Sequence, residues 1–598
     1  MPTPTPRPHL THWPARLPLE LEVPETSLWF NLEVAARRYP HKNAYLYLGQ
    51  PLTWGELHRQ AEALAGWLQA RGVQRGDRVL LFMQNCPQYV VAAFAVLRAD
   101  AVIVPVNPMN RADEFGHYIT DPEARVAIVS ADLAGIVAEA DGRLQPQQRL
   151  HHVLVTRYAE AMPTAEDLDP AEAPADPVLA WLRADPAMPA IAPHAGVGAG
   201  ADGCDRSQAV PAGAPADPRF ERWASALAAG YTPSAHLSGP DDLALLPYTS
   251  GTTGLPKGCL HTHRTLMHNV VGGGLWGQAS AESISLAVVP MFHITGFMYG
   301  VMAPAFTGSA VVILPRWDRE LAGRIISRHR VTHWTCIPTM IIDLFGSPNY
   351  RQFDLSSLRY LSGGGAAMPQ AVAQRLQDEF GITFAEGYGL TETAAPSHAN
   401  PPERAKLQCL GMPIFGVDSR VVDPQTLQEL PPGEAGEIVT SGPMVFHGYW
   451  KHPQATAEAF FELDGKRFFR TGDLGRMDEE GYFFITDRLK RMINASGFKV
   501  WPTEVELLLF KCPLVLEACV IGAQDAYRGE TVKALVVRRP EAPASATGDD
   551  VIAWAREHMA AYKVPRIVEF VDALPKSGSG KVMWRLLQEQ QRERDAAG

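Results

Sequence analysis

The densest cluster of hydrogen-bond donors in the chain is the segment YTSGTTGLPKG at residues 248–258. Its four aliphatic hydroxyls, three glycines and one lysine follow an apolar run at residues 243–246, which we expect to be the end of a strand. Glycines let backbone N–H groups turn toward an anion, hydroxyls donate further hydrogen bonds, and Lys257 adds positive charge. A flexible Ser/Thr/Gly turn is the alternative, but such a turn rarely carries this many donors together with a lysine. The segment therefore predicts a phosphate-binding loop.

This loop is not a Walker A loop. That motif needs glycine directly before the lysine and serine or threonine directly after it, and Pro256 and Gly258 occupy those positions. A second candidate, SGSGK at residues 577–581, has Pro575 in place of the first glycine and Val582 after the lysine. The sequence therefore excludes a P-loop NTPase.

Two acidic residues add chemistry that suits a nucleotide. Glu392 follows Thr391 in GYGLTE, after an expected strand at residues 382–385. A carboxylate beside a hydroxyl suits Mg²⁺, which takes few protein carboxylates together with phosphate oxygens. A helix N-cap at Thr391 is the alternative, and it is compatible with that role. Asp473, in the tripeptide TGD, could accept two hydrogen bonds from neighbouring hydroxyls, but an aspartate in a turn is the commoner fate of such a tripeptide, and only the order of the motifs described below favours the first role.

The composition is that of an ordinary globular chain. Its 598 residues are 46% hydrophobic and 20% charged, which is enough for several domains with sizeable cores. Lys and Arg number 54 and Asp and Glu 65, so the net charge is 54 − 65 = −11, without the basic field of a nucleic-acid binder. The seven cysteines include no CxxC pair and predict reduced thiols in the cytoplasm. The apolar runs at residues 90–97 and 101–106 are too short to cross a bilayer.

Helix-like and strand-like patterns alternate from about residue 27. Apolar residues recur at helical spacing within residues 54–72, and a strand-like run follows at 77–83. This alternation predicts an α/β fold, with a large N-terminal domain of mostly parallel βαβ sheets at residues 27–486. A small α+β domain is expected at residues 487–598.

Two segments depart from this pattern. Residues 1–26 begin with a proline-rich stretch and predict a loose extended arm. Residues 161–220 contain 17 Ala, 10 Pro and 5 Gly, which together fill 32 of 60 positions. Such a segment buries little apolar surface to offset its ordering entropy. We expect a mostly unstructured surface insertion, with a short helix around residues 178–183.

The phosphate loop resembles the signature of the adenylate-forming superfamily, which includes acyl-CoA synthetases, luciferases and the adenylation domains of peptide synthetases. Further motifs follow in the order of that superfamily over residues 27–590, apart from the insertion. They are PMFH at 290–293, SGGGAAMP at 362–369, GYGLTE at 387–392, TGD at 471–473, DRLK at 487–490, SGFKVWPTEVE at 496–506 and PKSGSGK at 575–581. The resemblance is to the acyl-CoA synthetases, including fatty-acid–CoA ligases, and it implies that the small C-terminal domain is mobile.

The resemblance implies a role for each matching residue of the nucleotide site. Tyr388 is expected to stack on adenine, Thr391 to contact the α-phosphate and Glu392 to hold Mg²⁺. Asp473 is expected to bind the ribose, with a further contact from Arg488. The other implied ATP-binding residues are Thr249, Ser250, Gly251, Thr252, Thr253, Gly254, Lys257, Gly364, Gly365, Ala366, Gly387 and Gly389.

Five more positions receive roles in the same way. His293 and Gly363 border the acyl substrate, Lys490 is the hinge between the domains, and Gly497 comes near the pantetheine of CoA. Lys581 is the catalytic lysine, placed between the substrate carboxylate and the α-phosphate during adenylation. Taken alone, His293 would more often be a core histidine, and Lys581 a solvated lysine on a mobile loop.

The resemblance implies an ATP-dependent acyl-CoA ligase that uses Mg²⁺, ATP and CoA. Residues 294–299 and 339–345 are mostly apolar and hold no obvious cation for a second carboxylate. A medium- or long-chain fatty acid is therefore favoured, and a benzoate- or cinnamate-type aryl acid is the alternative. An adenylation enzyme that loads a carrier protein stays open, although no carrier domain follows Lys581. We expect small-molecule partners only, with no nucleic acid and no transmembrane segment, and a homodimer is left open.

Overall fold

The computed structural model describes residues 7–189, 216–249, 255–364, 368–488, 491, 493–495, 498–500, 502–525, 529–543, 545–577 and 582–597. Two mostly parallel sheets dominate its N-terminal part. In spatial order, the seven-stranded sheet contains His261–Thr262, Leu243–Leu245, Val102–Pro105, Arg78–Phe82, Val126–Ser130, His152–Thr156 and Phe220–Arg222. The nine-stranded sheet contains Met412–Pro413, Ala395–Ala399, Phe384–Leu390, Tyr360–Gly363, His333–Cys336, Ile284–Ala287, Ala310–Ile313, Asn43–Tyr47 and Gln50–Thr53.

Antiparallel sheets follow in the C-terminal part. One consists of Asp418–Val422, Gly436–Ser441, Lys466–Met477 and Phe460–Leu463, with Phe483–Arg488 paired to the third of these strands. The last sheet consists of Phe498–Val500, Ile493–Ala495, Gly529–Arg538 and Val515–Asp525, and Ile567–Phe570 joins it in parallel. The predicted α/β class, with a large part built on parallel sheets and a smaller α+β part, is confirmed.

Helices cover both parallel sheets. They span Trp29–Arg38, Trp54–Ala70, Pro87–Arg98, Ala112–Thr120, Ala134–Gly142, Asp176–Arg183, Trp223–Ala228, His263–Trp276, Ile294–Phe297, Ala303–Thr307, Arg319–His329, Pro338–Phe345 and Gln370–Phe380. A π-helical turn, Met298–Met302, joins two of them. Further helices are Pro453–Ala459, Pro502–Leu509, Gly548–His558 and Trp584–Ala597. In the described part, no helix combines the length and the apolar character needed to cross a bilayer.

The helix Trp54–Ala70 shows how the sequence builds these layers. The Thr53 hydroxyl accepts a hydrogen bond from the Glu56 N–H at 3.2 Å and so caps the helix N-terminus. Leu57 and Leu64, two of the apolar residues at helical spacing, are fully buried. The strand Arg78–Phe82 is buried at four consecutive positions because helices cover both faces of a parallel sheet.

The N-terminal arm is docked rather than loose, from residue 7 onward. Arg7 pairs with Glu429 at 2.6 Å, and the Trp13 ring lies 5.5 Å from the rings of both Trp276 and Phe415. Arg16 donates hydrogen bonds to the carbonyl oxygens of residues 275 and 276, each at 2.9 Å. The proline content led to the wrong prediction because a few arginine and aromatic side chains provide the anchoring contacts.

The insertion was expected to be mostly unstructured, but the described residues at its two ends are folded. Residues 190–215 of the insertion lie outside the described part. The expected short helix is Asp176–Arg183, and its Leu182 is fully buried. The Trp181 indole N–H donates to Asp132 at 2.8 Å, and Glu172, 1% exposed, lies 2.6 Å from the imidazole of His329. The average composition of an Ala/Pro-rich segment does not reveal such single buried or hydrogen-bonded residues, which attach the ends of the insertion to neighbouring helices.

Replacing Leu182 by alanine should therefore destabilise the protein. Deleting a fully buried leucine side chain costs about 2–5 kcal/mol because a cavity remains, whereas a solvated linker would tolerate the change. The matched control is Leu237→Ala, at a leucine that is 65% exposed. Thermal unfolding should show a clear fall in the midpoint for Leu182→Ala and little change for Leu237→Ala. Equal midpoints would mean that the flank of the insertion does not contribute to the core.

Candidate active site

A cavity of about 3200 Å³ lies at the carboxyl ends of the parallel strands His333–Cys336, Tyr360–Gly363 and Phe384–Leu390. Ligands of α/β proteins bind at this edge of the sheet. Apart from Arg488, every predicted site residue in the described part lines this cavity: Thr249, Lys257, His293, Gly363, Gly364, Gly387, Tyr388, Gly389, Thr391, Glu392 and Asp473. The other predicted positions lie outside the described residues: Ser250, Gly251, Thr252, Thr253, Gly254, Gly365, Ala366, Lys490, Gly497 and Lys581.

The predicted phosphate loop is the connection of a short hairpin. Strands Tyr248–Thr249 and Lys257–Gly258 pair in antiparallel fashion, which sets Thr249 opposite Lys257. The Tyr248 hydroxyl donates to the Asp121 carboxylate at 2.6 Å. Near the other end, the imidazole of His117 donates to the carbonyl oxygen of residue 256 at 2.7 Å. Both ends of the loop are thus anchored to helix Ala112–Thr120 and the residue that follows it.

Thr391 and Glu392 belong to a single 3₁₀ turn, Thr391–Thr393, at the end of strand Phe384–Leu390. The N-cap of this turn is Leu390 and not Thr391, and the Leu390 N–H donates to the Thr393 hydroxyl at 2.8 Å. The next two residues, Ala394 and Ala395, have φ values of 51° and 79°. Left-handed alanines cost free energy and persist only where neighbouring contacts fix them.

Two side chains that the sequence analysis missed supply those contacts. Asn269, in helix His263–Trp276, donates to the carbonyl oxygens of Thr393 at 3.1 Å and Ala394 at 2.8 Å. The His261 imidazole donates to the carbonyl oxygen of Thr391 at 2.8 Å, and burial lowers the pKa of His261 to about 4. The imidazole is therefore neutral near pH 7 and acts as a fixed hydrogen-bond donor. Both residues lie far from the GYGLTE motif in sequence, so only the fold reveals them.

Close backbone approach explains two glycines of the site. A Cβ atom on Gly389 would lie 1.7 Å from the carbonyl oxygen of Ala395. A Cβ atom on Gly363 would lie 1.9 Å from the carbonyl oxygen of Cys336 on the neighbouring strand. Any side chain at either position would force the strands apart, so both glycines preserve the edge of the cavity.

Glu392 and Lys257 both contact Tyr449, a residue that lies outside the predicted motifs. The Tyr449 hydroxyl donates to the Glu392 carboxylate at 3.0 Å, and the Lys257 ammonium lies 5.4 Å from the centre of the Tyr449 ring. Burial and the neighbouring Glu392 raise the pKa of Tyr449 well above its usual value, so its hydroxyl stays protonated. Tyr449 therefore connects the lysine of the phosphate loop with the carboxylate across the cavity.

Asp473 lies within a long strand rather than in a turn, so the turn alternative is wrong. Strand Lys466–Met477 bulges at residues 471–473, because Glu437 and Val439 of the adjacent strand pair with residues 474 and 470. The carboxylate of Glu437 accepts hydrogen bonds from the Gly472 N–H at 3.1 Å and from the Arg470 guanidinium at 2.6 Å, which fixes the bulge.

The bulge brings Asp473 to two other predicted residues. The Tyr388 hydroxyl donates to the Asp473 carboxylate at 2.5 Å inside the cavity wall. Arg488 is the backbone partner of Asp473 across the strand pair. The order of the motifs in sequence did not reveal this pairing, because it depends on strand register.

His293 is not a core histidine. It is half-buried, lines the cavity and precedes helix Ile294–Phe297, where its Nδ1 accepts a hydrogen bond from the Thr295 N–H at 3.4 Å. The imidazole is therefore held by the start of a helix at the cavity wall.

The residues that precede and follow Lys581 form a hairpin in the C-terminal part. Lys576 and Val582 form a β-bridge, and the Met583 N–H donates to the carbonyl oxygen of Pro575 at 2.8 Å. Lys576, Val582 and Met583 also line the cavity. The segment that carries Lys581 is thus bounded on both sides by residues that line the cavity.

The described residues hold no cluster of three or more histidine, cysteine, aspartate or glutamate side chains that would bind a metal ion alone. Tyr449 connects Glu392 to the phosphate-loop hairpin, through its hydrogen bond to that carboxylate and its contact with the Lys257 ammonium. One carboxylate suits Mg²⁺ only where phosphate oxygens and water complete its shell. The donor set therefore fits a magnesium ion that arrives with a nucleotide.

Comparison with known proteins agrees with this arrangement. Residues 32–450 match the family profile described as AMP-binding enzyme, and residues 504–581 match the AMP-binding enzyme C-terminal domain. The chain belongs to the AMP-binding enzyme family. The predicted resemblance to adenylate-forming enzymes is thereby confirmed, and the protein is an AMP-forming acid–thiol ligase.

The relatives of this AMP-binding enzyme carry more than one substrate name. A long-chain-fatty-acid–CoA ligase of Bacillus subtilis (strain 168) is 32% identical over 594 residues, which covers 98% of both chains. A feruloyl-CoA synthase of an Amycolatopsis species is 34% identical over 554 residues, 92% of this chain and 96% of that protein. Among solved structures, ATP-bound MatB from Rhodopseudomonas palustris superposes with a TM-score of 0.78 at 27% identity, covering 96% of this chain and 100% of that one.

Proposed function

We propose that this enzyme activates a medium- or long-chain fatty acid as acyl-AMP and then transfers the acyl group to CoA. The observation that carries the proposal is that one cavity is lined by the phosphate-loop hairpin, Glu392 and Asp473 and also by the helical stretch 294–307 that follows His293. The part of the cavity along residues 294–307 is called the acyl extension. A nucleotide and an acid would meet there at the carboxyl edge of the sheet.

The reaction has two steps in which different bonds change. A carboxylate oxygen attacks the α-phosphorus of ATP, the bond to pyrophosphate breaks, and acyl-AMP forms. The CoA thiol then loses its proton and attacks the acyl carbon, which forms the thioester and releases AMP. Negative charge develops on phosphate oxygens in the first step. We assign Lys257 and Lys581 to stabilise that charge electrostatically, with Asp473 and Tyr388 holding the nucleoside.

Glu392 is the residue that we assign to Mg²⁺. Bound there, the ion would offset the charge on the phosphate oxygens. Tyr449 holds the Glu392 carboxylate by its hydrogen bond, and His261 and Asn269 fix the backbone of the turn that carries it. These contacts support a site that is formed before the nucleotide arrives.

Replacing Glu392 by glutamine should raise the Mg²⁺ concentration needed for acyl-AMP formation. A neutral amide is a poor ligand for a hard cation, and losing even an outer partner of a metal site costs ~10–100-fold in affinity. The matched control is Glu458→Gln, which removes one negative charge from an exposed position at the same cavity. A magnesium titration that is the same for both variants would exclude Glu392 from the metal site.

The residues that line the cavity beyond His293 support a fatty acid. Cavity-lining residues recur along the whole helical stretch from residue 294 to residue 307, including Thr295, Tyr299, Ala303 and Thr307. At 1.5 Å per residue this stretch is ~20 Å long, which is longer than a single aromatic ring needs. Its sequence, ITGFMYGVMAPAFT, contains no charged side chain. The named relative in Bacillus subtilis agrees with this choice.

A hydroxylated aryl acid is the second candidate. Tyr299 and Tyr360 both line the cavity and would offer hydroxyls to a polar ring substituent. The relative named feruloyl-CoA synthase agrees with this possibility. The choice is tested by measuring AMP release with ATP, CoA and a panel of decanoate, palmitate, benzoate and ferulate. The highest kcat/KM should belong to a fatty acid. A clear preference for ferulate or benzoate would contradict the fatty-acid proposal and support the aryl acid instead.

A further inference from the structure

The helix that lines the acyl side of the cavity is irregular at its middle. Helices Ile294–Phe297 and Ala303–Thr307 are joined by the π-helical turn Met298–Met302. π-Helical turns are rare overall, and those inside α-helices frequently lie at functional sites. In this chain the turn contains Tyr299, whose side chain lines the cavity.

The Tyr299 ring lies against a residue that has no side chain. A Cβ atom on Gly273, in helix His263–Trp276, would lie 2.8 Å from Cε1 and 3.1 Å from Oη of Tyr299. A methyl group at residue 273 would therefore displace the ring. At the next residue, Gly274, an added Cβ atom would lie 3.4 Å from Thr307 Cγ2, which is ordinary van der Waals contact.

A second tyrosine repeats this arrangement one helical turn later. A Cβ atom on Gly277 would lie 3.0 Å from Cε1 of Tyr360. Both tyrosines line the cavity, and burial raises the pKa of each phenol above its usual value, so both are protonated. The two rings together form one wall of the cavity against the glycine side of the helix.

We propose that the Tyr299 ring, seated on Gly273, divides the acyl extension and sets the length of the acyl group that the enzyme prefers. Tyr299 follows His293 by six residues, ~9 Å along the helix, which suits a medium-chain acyl group. A long-chain acyl group reaches Ala303 and Thr307 only when the ring moves aside. The proposal rests on the proposed function and narrows it to medium-chain acids.

The test compares decanoate with palmitate as the acid, through the ratio of their kcat/KM values in AMP release. Tyr299→Ala removes the ring and should raise the palmitate-to-decanoate ratio about tenfold or more, the scale on which apolar pockets discriminate chain length. Gly273→Ala pushes the ring into the cavity and should lower the ratio about fivefold. The matched control, Gly274→Ala, brings the same gain in helix propensity and should leave the ratio within about twofold of the wild type.

Tyr299→Phe separates ring size from the hydroxyl and should leave the ratio unchanged. The proposal is overturned if Tyr299→Ala leaves the ratio unchanged, or if Gly273→Ala and Gly274→Ala shift it equally. Should Tyr299→Ala fail to fold, the two glycine variants decide, because Gly273→Ala requires only the movement of the Tyr299 ring and Gly274→Ala requires no movement. Calorimetric affinities of the two acids provide a second readout that needs no turnover. Absence of AMP release with every acid in the wild type would instead contradict the proposed function.

Discussion

Replacing Lys581 by alanine is expected to slow acyl-AMP formation by ~10²–10³-fold, the usual cost of losing one preorganised donor to a transition state. Formation of the thioester from supplied acyl-AMP should fall much less, because the α-phosphate charge has already been accommodated. Exchange of pyrophosphate into ATP measures the first step alone. CoA-dependent consumption of supplied acyl-AMP measures the second.

Lys576→Ala is the matched control for this prediction. Lys576 lies five residues earlier, its side chain is 38% exposed, and its ammonium pairs with Glu517 at 2.8 Å. Exposed ion pairs contribute little, ~0–1 kcal/mol, so both steps should stay near the wild-type rates. Equal loss of both steps in folded Lys581→Ala protein would contradict the role assigned to Lys581.

Replacing Lys490 by proline is expected to separate the two steps in the opposite sense. Strand Phe483–Arg488 belongs to one antiparallel sheet and strand Ile493–Ala495 to the next, with residues 489–492 between them. A hinge at residue 490 must change its backbone angles, and proline fixes φ near −65° and restricts the preceding residue. Acyl-AMP should form near normally, whereas CoA transfer should fall ~10²-fold, the scale of a misplaced proline.

Lys490→Ala keeps the backbone freedom of residue 490 and is the control for the hinge. It should retain both steps if the backbone, and not the ammonium group, is what matters. Parallel loss of pyrophosphate exchange and acyl-CoA production in folded Lys490→Pro protein would refute the hinge, because a locked hinge must spare one step.

The sequence predicted the elements whose signal is local. The helix Trp54–Ala70 and the strand Arg78–Phe82 follow from hydrophobic periodicity, and the nucleotide motifs mark residues that line one cavity. Tyr449 escaped prediction because its hydrogen bond to Glu392 crosses 57 residues of sequence. Asn269 escaped prediction for the same reason, since its carbonyl partners, Thr393 and Ala394, lie 124 and 125 residues away in the sequence.

One expectation and one alternative interpretation failed because each was drawn from a short stretch of sequence by itself. Proline-rich stretches predicted a loose arm, yet Trp13 and Arg16 attach the arm to the end of helix His263–Trp276. The TGD tripeptide suggested a turn, yet strand register and the buried Glu437 make it a bulge. In both cases the deciding contacts join segments that no local pattern connects.

The path of the carboxylate oxygen tests the central claim most directly. The enzyme is supplied with decanoate labelled with ¹⁸O in both carboxylate positions, together with ATP, Mg²⁺ and CoA. The masses of AMP, the thioester and pyrophosphate are then measured by mass spectrometry. Attack of the carboxylate on the α-phosphorus predicts one ¹⁸O atom in AMP and one in the thioester carbonyl, with unlabelled pyrophosphate. Unlabelled AMP, or label in released phosphate, would contradict an acyl-AMP intermediate.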